Sequence, residues 1–157
     1  MSAEETLNAA GHVLPPAAAP AANYVPFTVE NNIVYVSGQL PLKDGALVAT
    51  GRVGEDVDAQ LATAAAEACA LNVIAQVKAA AGGDLSRVKQ VLKLGVFISS
   101  SNDFTGQPAV ANGASDIMVL AFGEAGKHAR FAVGTNVLPL NTSVEIDAVV
   151  ALHPTGP

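Results

Sequence analysis

Tryptophan is absent from this chain of 157 residues, and only two tyrosines and five phenylalanines are present, so the core must be built from Val, Leu, Ile and Ala. Cysteine is almost absent. Cys69 alone excludes an internal disulfide and fits a reducing compartment, which makes the cytoplasm the expected location. Basic residues are scarce and unclustered: eight Lys and Arg stand against fourteen Asp and Glu, for a formal net charge of −6. The electrostatic footprint of a nucleic-acid binder is therefore missing. No apolar run reaches the length of a membrane span. The first Lys or Arg is Lys43, and Glu4 and Glu5 lie near the start, contrary to the pattern of a secretory signal or an arginine-rich transit peptide. His12, His128 and His153 are far apart and no HxH, HExxH or CxxC occurs, so no metal is expected. No glycine-rich loop has phosphate-binding spacing, and no cofactor is expected; Gly-x-Ser-x-Gly, the mark of a serine nucleophile, is also absent. Ser37-Gly38 comes with no recognisable base, and reads as a hydrogen-bonding cap rather than a nucleophile.

What is present is an unusually apolar chain of single-domain size. Half of the residues are hydrophobic and 14% are charged, a low share for a small monomer, which points to further burial between subunits. Residues 1–22 read as an appendage: Ser2-Ala-Glu-Glu5 is a capping box opening a short helix, and Leu14-Pro-Pro-Ala-Ala-Ala-Pro is extended. Residues 23–157 read as one domain. Asn31-Asn32 predicts a hairpin between Tyr24–Glu30 and Ile33–Ser37, the second strand being central and buried on both faces for want of alternation. A short third strand is expected near Ala46–Ala49. Asp58 to Ala81 is the longest helix, capped by Asp56 or Asp58 and stopped by Gly82-Gly83. Val88–Ser99 is a strand with Leu92, Leu94 and Val96 on one face and Val91, Lys93 and Phe97 on the other. A second long helix starts between Gln107 and Asn112 and ends near Phe122. Strands at 129–137 and 143–152 close the chain. The order β-β-β-α-β-α-β-β is an α+β layout with two helices on one face of a mixed sheet.

Arg130 stands out: a group that stays charged at every working pH sits inside an apolar strand. Its partner is either a structural acid or a ligand, and a planar fork suits a carboxylate. Ala132 and Gly134 share its face and leave room. Glu145 lies on the last strand between Val144 and Ile146. A simple hairpin centred on Leu140 would pair Arg130 with Val150 and Glu145 with Thr135, leaving the charges roughly 16 Å apart along the strands. Within such a hairpin they do not pair.

Ser37-Gly-Gln-Leu-Pro, Asp103-Phe, Val110-Ala-Asn112, Ala129-Arg130 and Leu138-Pro followed by Val144-Glu-Ile-Asp-Ala together resemble the RidA/YjgF family over about residues 15–152. The proline-rich N-terminus and Gly126-Lys-His-Ala-Arg130 are similar to its longer YjgF-like branch, whose members carry an endoribonuclease label. The resemblance implies a chorismate-mutase-like fold, a homotrimer with clefts between subunits, and hydrolysis of reactive enamines and imines such as 2-aminoacrylate to 2-oxo acids and ammonia. The alternative is a non-catalytic trimer that binds small carboxylate metabolites. The resemblance implies that Arg130 grips the substrate carboxylate and that Glu145 positions or activates the attacking water. It places Tyr24, Ser37, Gly38, Asn112 and the backbone of Ala132 around the ligand. Where the family often has cysteine, this chain has Ala132, and Phe131 replaces a small polar residue. Ribonuclease activity is disfavoured by the acidic chain, and chorismate mutase activity by the small number of cations.

Overall fold

The computed structural model describes residues 1–20 and 22–156. The elements run α1 (Ala3–Ala9), β1 (Phe27–Glu30), β2 (Ile33–Gln39), β3 (Leu42–Lys43), β4 (Ala46–Leu47), α2 (Ala59–Ala80), β5 (Val88–Ser99), α3 (Gln107–Phe122), β6 (Ala129–Thr135) and β7 (Val144–Leu152). Local chemistry accounts for the boundaries. Ser2 and Glu5 form the reciprocal capping box of α1, and Asp58 accepts from the Leu61 N–H to cap α2. Asn31 and Asn32 both take positive φ, 51° and 61°, as a tight hairpin turn between β1 and β2 requires. Gly113 lies inside α3 because a Cβ there would press on the Thr63 carbonyl of α2. The poor helix former is the residue that lets the two helices touch.

The main sheet has the order β1-β2-β7-β5-β6, antiparallel except for the parallel pair β5–β6. Helices α2 and α3 cover one face, and the core between them is aliphatic: Val34, Val36, Leu94, Val96, Ile98, Ile146, Ala148 and Val150 meet Ala66, Cys69, Val73, Ile74 and Ile117. Burial pushes the Cys69 thiol up, with the Glu145 charge adding to the effect, and its sulfur lies 3.7 Å from the Val144 carbonyl. It is a core residue.

Four expectations need correcting. β6 and β7 do not form a hairpin, because β5 lies between them and pairs with both. β2 is buried on one face only: Val34 and Val36 face the helices while Tyr35 is 49% exposed. Its run of apolar residues has an outer side that no element among the described residues covers. The third strand belongs to a separate two-stranded ribbon, β3–β4, held to α2 by Asn72, whose amide donates to the Leu40 and Leu42 carbonyls. In β5 an irregularity between Val91 and Lys93 breaks the alternation, so Val91 is buried and Leu92 is turned outward.

The N-terminal segment lies on the helical side. Leu7 is fully buried and α1 packs against α3; Glu4 pairs with Lys78 at 3.3 Å, and the Gln76 amide donates to the Ala18 carbonyl at 2.7 Å. No helix among the described residues is long and apolar enough to cross a membrane.

Candidate functional site

Arg130 lies on β6 opposite Leu94 and so points to the helix-covered side. Its Nη1 donates to Asn112 Oδ1 at 2.9 Å and to Ser115 Oγ at 3.1 Å, and its Nη2 to the Pro108 carbonyl at 3.4 Å. All three acceptors are uncharged and come from one side of α3, as the spacing 108, 112, 115 dictates. The ion pairs among the described residues are Arg52–Glu55, Lys78–Glu4 and Lys127–Glu124; Arg130 has no carboxylate partner. A guanidinium carries five N–H groups. Three bonds use three of them, leaving two for a ligand. Ala132 follows on the same face, opposite Val96.

Glu145 faces the other way. It pairs in register with Phe97, on the side of the sheet without helices. Gly38 makes its room: a Cβ on residue 38 would collide with the Glu145 carboxylate. No protein donor among the described residues bonds that carboxylate. Burial, and secondarily the neighbouring Asp147, push its pKa above the usual glutamate range. Such an acid exchanges protons closer to neutrality than an exposed one.

Ser37 lies beside Gly38, and its hydroxyl donates to the Val25 carbonyl at 2.7 Å, tying β2 to the segment before β1. Tyr24, in that segment, is 48% exposed. Around them the uncovered face carries Tyr35, Phe97, Phe131, Val133 and Lys93. The Phe97 and Phe131 rings meet edge to face at 5.1 Å, with the Lys93 ammonium over the Phe131 ring.

Of the expected site residues, then, one chain brings Arg130 and Asn112 together, with Ala132 beside them. It separately brings Glu145 to Gly38, with Ser37 next in the chain. The two groups are on opposite faces of the sheet, two strands apart and three residues out of register, about 10 Å across and about 10 Å along. Sequence reasoning missed Ser115, whose signal was its place three residues after Asn112 on a helix, and Asp147, two residues after Glu145 on a strand. A cavity of about 900 Å³ lies elsewhere: residues 11–18, the 42–45 turn and α2 line it, and none of the expected site residues does.

A mixed five-stranded sheet covered by two helices on one face only defines the chorismate-mutase-like class. The chain belongs to the YjgF family: residues 4–152 match the family described as "YjgF/chorismate_mutase-like, putative endoribonuclease". It is similar to Protein TCP17 of Trypanosoma cruzi, 51% identical over 91% of this chain and 89% of that protein. The crystal structure of Atu1372 from Agrobacterium tumefaciens, described as of unknown function, is 51% identical with a TM-score of 0.91, covering 96% of this chain and 92% of the other. A Shewanella oneidensis structure titled a "putative endoribonuclease" is 36% identical with a TM-score of 0.93, over 97% and 100% of the two chains.

Proposed function

We propose that this protein is an enamine/imine deaminase acting as a homotrimer, with Arg130 of one subunit and Glu145 of a neighbour serving the same ligand. The observation that carries the reading is an arginine with two uncommitted N–H groups and, among the described residues, no acid to neutralise it. A carboxylate-bearing small molecule supplies the missing anion through a bidentate contact. The opposite facing of Arg130 and Glu145 supports a second subunit as the source of the acid. The uncovered face, with Tyr35, Phe97 and Val133 exposed at 49%, 37% and 42%, supports the assembly. Within the family, TdcF of Escherichia coli, 26% identical to this chain with a TM-score of 0.59, was crystallised with serine bound, a ligand that carries a carboxylate.

The chemistry asks little of the protein. A 2-imino acid and water give a 2-oxo acid and ammonia. The imine carbon is already electrophilic, so orientation of the carboxylate and of one water provides most of the help. Arg130 holds the carboxylate. Glu145, with its raised proton affinity, takes a proton from the attacking water and returns it to the departing nitrogen. Tyr24, Ser37 and Asn112 line the cleft, and Gly38 keeps the acid's place open.

The test is the rate of 2-oxo acid release from imines generated by an amino-acid oxidase. Addition of the protein accelerates release and Arg130→Ala abolishes the effect; equal rates for both proteins sink the proposal. The separation of the cation from the acid within one chain favours a second reading, a trimer that binds small carboxylates without turnover. It calls for saturable, Arg130-dependent binding of 2-oxo acids and no acceleration.

A further inference from the structure

Behind Arg130 stands a pair of residues that the proposed chemistry does not use. His128 Nδ1 lies 2.6 Å from the Gly126 carbonyl, and His128 Nε2 lies 2.8 Å from Ser115 Oγ. A carbonyl can only accept, so Nδ1 carries the proton and, in the neutral ring, Nε2 is the acceptor. The Ser115 hydroxyl then donates to His128, which leaves its oxygen lone pairs to receive the Arg130 Nη1–H at 3.1 Å. Every bond in the chain has one direction: Arg130 to Ser115, Ser115 to His128, His128 to the Gly126 carbonyl.

Two features make this arrangement more than a chance contact. A serine inside a helix can turn its hydroxyl back to the carbonyl four residues earlier. Here that carbonyl belongs to Ala111, and the Ser115 hydroxyl bonds His128 instead. The far end is also anchored, because Gly126 is buried and pressed so close to α3 that a Cβ would overlap the Met118 carbonyl. The relay thus joins the guanidinium to a backbone position that cannot shift without moving the helix.

We propose that Ser115 and His128 are positioning residues that hold the Arg130 guanidinium against α3, so that its two remaining N–H groups are aimed at the ligand before it arrives. Asn112 and the Pro108 carbonyl set the plane of the fork, and Ser115 sets its rotation. A fork held in place in the free protein loses less freedom on binding, and affinity for a carboxylate rises accordingly. The affinity part of this inference rests on the carboxylate reading; the holding of Arg130 in the free protein does not.

The experiment exploits the presence of only three arginines, Arg52, Arg87 and Arg130, which makes their Nε–H signals assignable by NMR. In the ligand-free full chain, the Arg130 Nε–H order parameter is expected to be high, to fall in both Ser115→Ala and His128→Phe, and to stay high in Ser115→Thr, which keeps the hydroxyl. Calorimetric titration with 2-oxobutanoate should show Kd raised about tenfold in Ser115→Ala, as expected for one lost hydrogen bond to a charged group, with Ser115→Thr close to wild type and the melting temperature of Ser115→Ala little changed. An unchanged Arg130 signal in Ser115→Ala overturns the proposal, even if His128→Phe fails to fold. Should Arg130→Ala bind 2-oxobutanoate as well as wild type does, the carboxylate reading fails, while the NMR result still decides the relay.

Discussion

The two faces of the sheet treat charge differently. On the helix-covered side Arg130 is met by three neutral acceptors, all from α3, and its orientation is determined by the chain that carries it. On the uncovered side Glu145 is partly desolvated beside Asp147, with no protein donor among the described residues to steady it. In the proposed reading, the single chain prepares the cation for an anion, and the acid is completed by a second subunit on the uncovered face. A permanently charged group can be held by dipoles without losing its function, whereas a carboxyl that must exchange a proton works best where the medium raises its proton affinity.

The largest expected effect follows from breaking the proposed assembly across the uncovered face. Phe97→Glu puts a charge in the centre of the uncovered face, next to Glu145. Sedimentation analysis should find the oligomer converted to monomer, with deaminase activity reduced at least about a hundredfold. A monomeric wild type of full activity would instead break the reading that two subunits share the site.

Glu145→Gln sharpens the contrast between the two groups. Turnover should fall by about a hundredfold, the size of a lost acid–base contribution, while 2-oxo acid binding stays within a few-fold of wild type. Arg130→Ala should lose binding and turnover together. Matching losses of binding in both variants would mean that the two groups do not divide the work as proposed.

Gly38→Ala acts more gently. The added methyl has to displace the Glu145 carboxylate, so an activity loss of about tenfold is expected with binding nearly intact, because misplacing a catalytic group costs rate before affinity. Steady-state kinetics beside calorimetry checks the split.

The smallest effect is in pH dependence. Because the folded-state pKa of Glu145 lies above its unfolded value, its contribution to stability is fully present below the unfolded value and is lost as pH rises through the folded one. Glu145→Gln should therefore melt somewhat higher than wild type at neutral pH, with the difference shrinking as pH falls below the glutamate range. Asp147→Asn removes one of the two causes of the shift, so the acidic limb of the activity profile should move to lower pH. An unmoved limb would leave burial as the whole cause.

Much of this was legible in the residues. The capping box at Ser2, the cap at Asp58, the Asn31-Asn32 turn and the extents of α2 and β5 follow from nearest-neighbour chemistry, because capping, turn conformation and periodicity are settled within a few residues. The oddity of Arg130 was legible too, since a fixed charge in an apolar strand is costly wherever the strand ends up. The strand order was not. The hairpin of β6 and β7 was a reasonable default for two successive strands, but β5 takes the place between them, and no local signal marks a parallel partner brought in from before α3. The uncovered side of β2 was hidden for a related reason: an apolar strand reads the same in composition whether a helix covers one of its faces or both.

The elements, their caps and the presence of an arginine without an obvious acid depend on chemistry within a turn or two of chain, and could be read from the residues. It takes long-range packing to turn Arg130 and Glu145 opposite ways, to stand Ser115 and His128 behind the arginine, and to let Gly38 give the glutamate its room. Those relations join residues 13 to 107 positions apart, and the packing of α3 against the sheet and the place of β5 between β6 and β7, rather than any local preference, bring them into register or keep them apart.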